Sequence, residues 1–414
     1  MFAFTKSIFT YLCKYGIVFH IYIFLQKWNC MIERAILADA KYTLTQFRAV
    51  CITGPRQSGK TTLSKILFKG KPYISFENPA QQKNADEDIA AFMEKYAKGA
   101  ILDEVQRVPD IFRQLQGMLD KNTKRGQFLL TGSNNFLLQQ QISQSLAGRA
   151  GYLELLPLSY AELQQAKLAT DNINEHILTG GYPEIWNEKL NPTKWMGGYI
   201  QTYLQRDVRL LRNITNFSAF NRFVLLCANY AGQILNREEL AKQVGVDTKT
   251  ILAWLGVLES SYIIYTLQPW YNNLNKRIIK SPKLYFYDTG LLCYLLNITS
   301  PSALVKQNNY GAIFENWAIT EIKKNRTNTG ITGGMYYFRD SAGNEVDLIL
   351  EKNNETIGIE IKATKKPGTK DFQGLKYWQK YQQGSKAILV HGGSRGDILN
   401  DGTGIVPWIE IGNI

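Results

Sequence analysis

The sequence predicts an α/β protein whose first unit is a mostly parallel β-sheet. From residue 31 to about residue 157, short apolar runs alternate with amphipathic stretches of helical period. A parallel sheet needs this alternation, because the crossover that joins two parallel strands is usually a helix. A glycine-rich loop follows one of the apolar runs, and two adjacent acids follow another. The predicted strands are 49–53, 72–76, 99–103, 127–131 and 151–155.

The loop after the first predicted strand has the complete pattern G-x-x-x-x-G-K-[S/T], known as a P-loop. Its glycines let backbone N–H groups turn toward a phosphate chain, its lysine reaches the β- and γ-phosphates, and its threonine hydroxyl can bind Mg²⁺. The alternative is a glycine turn that only opens a helix. The pattern predicts a site for ATP or GTP, with Mg²⁺. Its residues are Gly54, Pro55, Arg56, Gln57, Ser58, Gly59, Lys60, Thr61 and Thr62.

Two adjacent carboxylates, Asp103 and Glu104, end the third predicted strand. In P-loop ATPases an aspartate at this position holds Mg²⁺ through its water shell, and a following glutamate polarises the attacking water. Acids are seldom buried without a partner, so their place at the end of an apolar strand indicates function. The alternative is an aspartate that caps the next helix. We therefore predict Asp103 as a metal residue and Glu104 as the catalytic base.

Polar residues also follow the strand 127–131, where Ser133 or Asn134 can reach the γ-phosphate or the attacking water. We select Asn134 as the catalytic candidate; the alternative is a plain glycine turn with Ser and Asn as turn formers. Arg149, in the segment L-A-G-R, is a candidate transition-state arginine, in cis or across the interface of a homo-oligomer. An arginine that is solvated or paired with a carboxylate is an equally open interpretation.

The chain has 414 residues and a formal net charge of +13, which favours a polyanionic partner such as DNA. A solvated basic surface would have the same composition. The five cysteines include no C-x-x-C pair, and this indicates reduced thiols in a reducing, cytoplasmic compartment. With three histidines in the chain, a histidine-rich metal site is not expected.

Residues 1–30 are an apolar extension with two open interpretations. Lys14 and His20 interrupt the apolar run from 8 to 25, and no small-residue cleavage site follows it, which argues against a signal peptide. A regular amphipathic stretch begins at Met31. We expect translation to start at Met31; the alternative is a membrane anchor. A membrane is otherwise not an expected partner.

The middle of the chain predicts two helical units. Residues 158–217 alternate helical patterns with a Gly-Gly-Tyr-Pro break and are interpreted as a small helical lid. In residues 218–304 a helix stops at Gly245 and another restarts with an Asp-Thr cap, which is typical of a helix-turn-helix. Two apolar runs then suggest the strands of a wing, with a basic tip suited to phosphates; a winged helix that contacts only protein is the alternative. The tip residues are Lys276, Arg277, Lys280 and Lys283.

Residues 305–414 predict a final domain with its own chemistry. A helix begins near Phe314, and the runs 336–340, 344–350 and 356–363 predict a β-meander. Asp347 lies on one of these strands, and Glu360 and Lys362 lie two apart on the next, facing one side. The two carboxylates can hold Mg²⁺, and the lysine can orient the attacking water or stabilise phosphorane charge. The alternative is a set of exposed charges on a half-solvated sheet.

With these parts in order, the sequence from Met31 onward resembles a bacterial and archaeal family of AAA+-like ATPases with an uncharacterised C-terminal domain. The resemblance is carried by the segments G-P-R-Q-x-G-K-T, L-D-E-V-Q, T-G-S-N, L-A-G-R and Y-x-x-R-D. The segment E-V-D…E-I-K-A resembles the PD-(D/E)xK nucleases, in the manner of Holliday-junction resolvases, and implies a restriction-endonuclease-like fold. By this resemblance Glu315 is the helical acid beside Asp347, Glu360 and Lys362.

Two functions follow as hypotheses. In the first, the chain is an ATPase with Mg²⁺ as cofactor that binds DNA and has Mg²⁺-dependent nuclease activity. In the second, it is a nucleotide-gated regulatory switch or scaffold whose nuclease-like domain is catalytically silent. The intact residues Asp347, Glu360 and Lys362 favour the first.

Overall fold

The computed structural model describes residues 32–133, 142, 144–204, 216–271, 281–352 and 355–414. Its first sheet has five parallel strands in the order β2-β3-β4-β1-β5. Because β1 lies between β4 and β5, the loop that leaves β1 is in the middle of the carboxyl edge. The strands are β1 (Ala49–Thr53), β2 (Tyr73–Ser75), β3 (Ile101–Asp103), β4 (Phe128–Gly132) and β5 (Ala150–Glu154).

Helices cover both faces of this sheet. Two apolar clusters form the core, one on each face, and both contain side chains of the central strands β1 and β4. Fully buried strands of this kind are expected where a parallel sheet is covered on both sides. The helices are α1 (Leu37–Gln46), α2 (Lys60–Leu67), α3 (Pro79–Glu87), α4 (Ile89–Glu94) and α5 (Ile111–Lys121).

Short helices occupy most of the described part of 158–217. Ser159 caps the first of them through a capping box with Glu162; this arrangement satisfies N–H groups that a helix start leaves free. The helices are α6 (Tyr160–Gln165), α7 (Ile173–Thr179), α8 (Pro183–Asn187) and α9 (Pro192–Tyr199), and a π-helical turn, Ile200–Leu204, follows.

In the described part of 216–305, three helices, a strand pair and two further helices follow. Gly245 ends the second helix in a left-handed conformation, and the Asp247 side chain caps the third, so the break lies where the sequence predicts it. The two strands that follow are antiparallel, with Ile264 opposite Phe286 and Leu267 opposite Lys283. The elements are α10 (Phe217–Asn229), α11 (Arg237–Val244), α12 (Thr248–Ser260), β6 (Ile264–Leu267), β7 (Lys283–Phe286), α13 (Thr289–Leu295) and α14 (Pro301–Val305).

The last unit is a mixed six-stranded sheet in the order β12-β13-β11-β10-β9-β8. Strands β8, β9 and β10 form the antiparallel meander expected from the sequence, whereas β10, β11 and β13 run parallel. Two helices, α15 (Tyr310–Asn328) and α16 (Gln373–Tyr381), pack on it. The strands are β8 (Met335–Arg339), β9 (Glu345–Lys352), β10 (Glu355–Lys362), β11 (Lys386–His391), β12 (Asp397–Ile398) and β13 (Gly404–Pro407).

The structure bears on two expectations from the sequence, the state of the cysteines and the presence of a membrane-spanning helix. Cys51, Cys227 and Cys293 are buried free thiols, as expected for reduced core residues. Within the ranges given above, none of the helices combines the length and the apolar character needed to span a bilayer. The extension 1–30 lies outside those ranges.

Candidate nucleotide site and carboxylate cluster

The P-loop connects β1 to the first turn of α2. Gly54 has φ +144°, and a Cβ there would lie 2.2 Å from the Leu155 carbonyl oxygen. Gly59, at φ +96°, directly precedes the helix. Both positions therefore require glycine, one for close backbone approach and both for their conformation. The loop ends at the N-terminus of a helix, where N–H groups and the helix dipole favour a bound phosphate.

Lys60 lies at the start of α2 with its ammonium group folded over the loop. The Nζ atom donates to the carbonyl oxygens of Gly54 at 2.9 Å and Pro55 at 2.7 Å. Burial lowers the pKa of Lys60 to about 8, and the nearby carboxylates of Glu104 and Asp103 oppose that shift. A phosphate chain would supply further negative charge to the same ammonium.

Asp103 is at the carboxyl end of β3, beside the P-loop threonine. Its Oδ2 atom is 3.4 Å from the Thr61 hydroxyl, and its carboxylate also accepts hydrogen bonds from the hydroxyls of Tyr73 and Thr131. The two oxygen ligands predicted for Mg²⁺ are therefore neighbours, which fits a metal that keeps several waters and uses few protein oxygens. Sequence reasoning missed Tyr73 and Thr131, which hold this carboxylate in place.

Glu104 follows directly and has a left-handed backbone, with φ +54°. Such a conformation costs a non-glycine residue about 1–2 kcal/mol, and strained residues of this kind are concentrated at functional sites. The side chain is buried, and its Oε2 accepts hydrogen bonds from Gln106 at 2.6 Å and Ser133 at 3.2 Å. Ser133 follows β4, which lies between β1 and β3. The strand order therefore places Glu104, the predicted base, beside Ser133, one of the two polar residues that the sequence predicts near the γ-phosphate.

A cavity of about 660 Å³ joins these groups. The helix α8 closes one side of it, so the predicted lid faces the P-loop. Its walls carry carboxylates as well as the loop cations, including Glu77 and Glu184. The predicted loop residues on its wall are Arg56, Gln57, Gly59, Lys60, Thr61 and Thr62.

Two predicted residues of this site do not join it. Asn134 lies outside the described residues. Arg149 immediately precedes β5, at the amino edge of the sheet, whereas the P-loop leaves the carboxyl edge. A five-residue strand spans about 16 Å, so the predicted role in cis is wrong for this arrangement. The guanidinium instead pairs with both oxygens of Asp120, at 2.7 and 2.9 Å; a role across a subunit interface stays a prediction.

Arg34 is a buried contact of the P-loop that sequence reasoning missed. Its guanidinium donates to the carbonyl oxygens of Ser58 at 2.7 Å and Leu156 at 2.6 Å, and to Glu162 at 2.9 Å. Glu162 in turn accepts from the backbone N–H of Ala35. This pair ties the P-loop to the first turn of α6. The one available signal was a single arginine within an amphipathic stretch.

In the C-terminal sheet, Asp347 and Glu360 lie opposite each other on β9 and β10. The antiparallel register pairs Leu348 with Ile359, so the next pair along the two strands is Asp347 with Glu360, and directly opposed residues share one face of the sheet. The Lys362 ammonium is 2.5 Å from Glu360 Oε1 and 3.9 Å from Asp347 Oδ2. The three side chains therefore converge, as the sequence predicts.

Glu360 is the least satisfied member of this group. Its Oε2 atom is buried and has no hydrogen-bond partner among the described residues. Burial, with the charge of Asp347 next in importance, raises the pKa of Glu360 well above its usual range. Both effects would be relieved by a cation beside that oxygen.

Glu315 does not complete the predicted ligand set. It projects from α15 and is held by Lys283 Nζ at 3.3 Å and by the Tyr285 hydroxyl at 2.6 Å. Burial, followed by the charge of Asp347, raises the pKa of Glu315. Lys283 also contacts Glu345 at 2.5 Å. Lys283 is thus buried among carboxylates, and its predicted place at a phosphate-binding tip is wrong.

These residues fit a two-carboxylate magnesium site better than a three-carboxylate site. In the described part of the chain, no group of three or more His, Cys, Asp or Glu side chains is arranged to hold a metal ion. A pair such as Asp347 and Glu360 matches the usual donor set of Mg²⁺, which is commonly bound through one or two carboxylates together with substrate phosphates and waters. The remaining tip residues, Lys276, Arg277 and Lys280, and the Arg206-Asp207 pair lie outside the described residues.

Three family models match successive parts of the chain. Residues 46–164 match an AAA domain, which contains the P-loop and the β3 carboxylates. Residues 170–302 match a domain of unknown function, DUF8612, and residues 310–411 match another, DUF4143. The AAA match supports a P-loop ATPase unit. The other two family models are described as domains of unknown function and name no activity.

Whole-length relatives extend across these boundaries. The chain is 33% identical over 346 residues to the uncharacterized protein Rv2008c of Mycobacterium tuberculosis, and the match covers 82% of this chain and 76% of that protein. The uncharacterized protein Mb2031c of Mycobacterium bovis matches with the same identity and coverage.

Among solved structures, the Walker-type ATPase paby2304 of Pyrococcus abyssi is similar to part of this chain. The sequences are 14% identical, the TM-score is 0.46, and the match covers 64% of this chain and 96% of that one. The assignment of the first unit as a P-loop ATPase domain comes from the AAA match, and the P-loop has the glycine conformations that this assignment requires.

Proposed function

We propose that this chain, which belongs to the same family of AAA-domain proteins as its two mycobacterial relatives, binds ATP with Mg²⁺ and hydrolyses it. One observation carries the proposal. The P-loop, the Thr61 hydroxyl and the Asp103–Glu104 pair share one cavity, although they come from separate segments of the chain.

Each residue of the cavity has a task in this proposal. The Lys60 ammonium leaves the loop carbonyls and binds the β- and γ-phosphate oxygens, while the helix N-terminus stabilises their charge. Thr61 and Asp103 would hold Mg²⁺, which neutralises charge that develops on the phosphates. Glu104, fixed by Gln106 and Ser133, accepts a proton from the attacking water.

Replacement of Lys60 by alanine tests nucleotide binding. We expect Lys60→Ala to abolish or strongly weaken ATP affinity in titration calorimetry, because the variant loses the cation that meets the phosphates. Lys41→Ala, at an exposed lysine of α1, is the control and should bind as the wild type does. If Lys60→Ala retains wild-type affinity, the P-loop does not bind the nucleotide.

A second activity, Mg²⁺-dependent cleavage of DNA by the C-terminal domain, is favoured by one specific observation. Asp347, Glu360 and Lys362 converge on one face. We interpret this convergence as the metal site of a restriction-endonuclease-like fold. The helices α11 and α12 with the β6–β7 pair are proposed as a winged-helix DNA reader. The positive net charge of the chain is compatible with both.

Strand β10 offers a matched pair of variants for this second activity. Glu360→Gln should remove Mg²⁺-dependent cleavage of branched and linear DNA, because it removes one of the two carboxylates that would hold the metal. Glu355→Gln changes an exposed glutamate of the same strand, which pairs with Lys386, and should cleave normally. The assay is run with and without ATP. If the wild type cleaves no DNA, the domain is silent and the switch hypothesis replaces the nuclease hypothesis.

A further inference from the structure

A second large cavity lies between the helical segment and the C-terminal sheet. Its volume is about 880 Å³. Two of its walls are the loops that leave the neighbouring parallel strands β10 and β11, and Asp171 to Asn174 close it from the helical side. A crevice outside the carboxyl ends of parallel strands is a common place for ligands.

The loop after β11 is held in a fixed shape. The His391 ring accepts the Gly393 N–H at Nδ1, at 3.1 Å, and its Nε2 is 3.0 Å from the Arg395 carbonyl oxygen. Since Nδ1 is an acceptor here, Nε2 carries the proton and donates to that oxygen. A Cβ on Gly393 would lie 2.4 Å from the Lys365 carbonyl oxygen. The two loops are therefore packed against each other and present one rim.

Three cations project from this rim. Lys365, Lys366 and Arg395 are exposed and line the cavity, and among the described residues none of them forms an ion pair with a carboxylate. Two acids, Asp171 and Asp397, also line the cavity, so the rim keeps an excess of positive charge. Unpaired like charges that surround a cavity attract anions of extended charge.

We propose that this rim binds the phosphate groups of a nucleic-acid strand and directs the strand toward the carboxylate pair. Lys365 follows Lys362 by three residues, at the same end of β10 as Glu360. A strand held by the rim would thus lie at the end of β10 that carries Glu360 and Lys362. The inference rests on the proposed DNA activity. Because the rim would contact phosphates through flexible cations, the predicted binding does not depend on base sequence.

The test compares two triple variants that remove equal charge. Lys365, Lys366 and Arg395 are replaced together by alanine in one variant, and the exposed residues Lys98, Lys121 and Lys124 in the other. Fluorescence anisotropy then measures the affinity of the full-length protein for a labelled single-stranded oligonucleotide across a salt series. We expect the rim variant to bind more weakly, with the slope of log affinity against log salt reduced by up to about 2, because each lost phosphate contact contributes about 0.7 for a single strand. The control should keep the wild-type slope.

Three results would overturn the inference. A rim variant with wild-type affinity and slope would show that the strand lies elsewhere, while the proposed cleavage could still be measured separately. Full displacement of the oligonucleotide by millimolar inorganic phosphate at constant ionic strength would assign the rim to free phosphate. Wild-type protein without DNA affinity at low salt would remove this inference together with the proposed DNA activity. Hydrogen-exchange protection of β10 and β11 equal to that of the wild type would show that the C-terminal sheet of the rim variant is folded.

Discussion

A Glu104→Gln variant should bind ATP normally and hydrolyse it about 10²–10⁴-fold more slowly than the wild type. The amide keeps the shape of the side chain but cannot accept the proton of the attacking water, and general-base contributions have this size. Binding and turnover should separate because the proposed phosphate contacts come from Lys60 and Thr61, whereas Glu104 contacts Gln106 and Ser133.

The backbone of Glu104 strengthens this expectation. Its left-handed conformation, with φ +54°, is unfavourable for a glutamate, and it follows directly on the last residue of β3. A sharp change of direction at that point turns the carboxylate into the cavity rather than along the strand. A residue that served only to cap the next helical turn would not need this conformation, and no side-chain cap bond is formed there.

The measurement uses phosphate release at saturating ATP together with titration of ATP affinity. Glu188→Gln is the matched control, since Glu188 lines the same cavity but does not follow a strand of the sheet. It should retain wild-type turnover. If Glu104→Gln also hydrolyses ATP at the wild-type rate, the catalytic base is another residue of the cavity.

Local patterns predicted the nucleotide site because its residues follow predictable strands. The glycines and Lys60 are contiguous, and Asp103 ends an apolar run. Parallel strands then bring these ends to one edge without further information. In the C-terminal domain, the two-residue spacing predicted that Glu360 and Lys362 face one side, whereas the register that sets Asp347 opposite Glu360 came from the structure.

Contacts between distant segments had no such pattern. Arg34 binds Ser58, Leu156 and Glu162, which are 24, 122 and 128 residues away, and nothing near Arg34 in the sequence specifies these partners. Lys283 was predicted as a phosphate contact because other cations precede it. In the structure, α15 packs against β7 and places Glu315 beside Lys283, so the lysine is buried. No local pattern indicates this contact.

Replacement of Glu162 by alanine should destabilise the P-loop unit by about 3–5 kcal/mol. The variant leaves the Arg34 guanidinium buried without its carboxylate, and a broken buried ion pair has a cost of this order. The side chains of Arg34 and Glu162 are 8% and 0% exposed, so water cannot replace the lost partner. Glu162 also accepts the backbone N–H groups of Ala35 and Ser159, which would lose their acceptor.

Hydrogen exchange followed by mass spectrometry measures this loss in the full chain. Amides of β1 and β5 should exchange about 10²–10⁴-fold faster in Glu162→Ala, since 1.4 kcal/mol corresponds to a factor of ten in an opening equilibrium governed by unfolding. Glu175→Ala, an exposed acid in the first turn of α7, controls for the loss of a helix-terminal charge and should leave these amides protected. Equal protection in the two variants would mean that Arg34 keeps other sufficient partners.

A double variant, Arg34→Met with Glu162→Met, removes the unpaired charge as well. It should regain part of the protection, because the unpaired charge is gone while the N–H groups of Ala35 and Ser159 still lack their acceptor. Its ATP affinity should stay below that of the wild type, because the Ser58 carbonyl of the P-loop has lost the guanidinium that holds it.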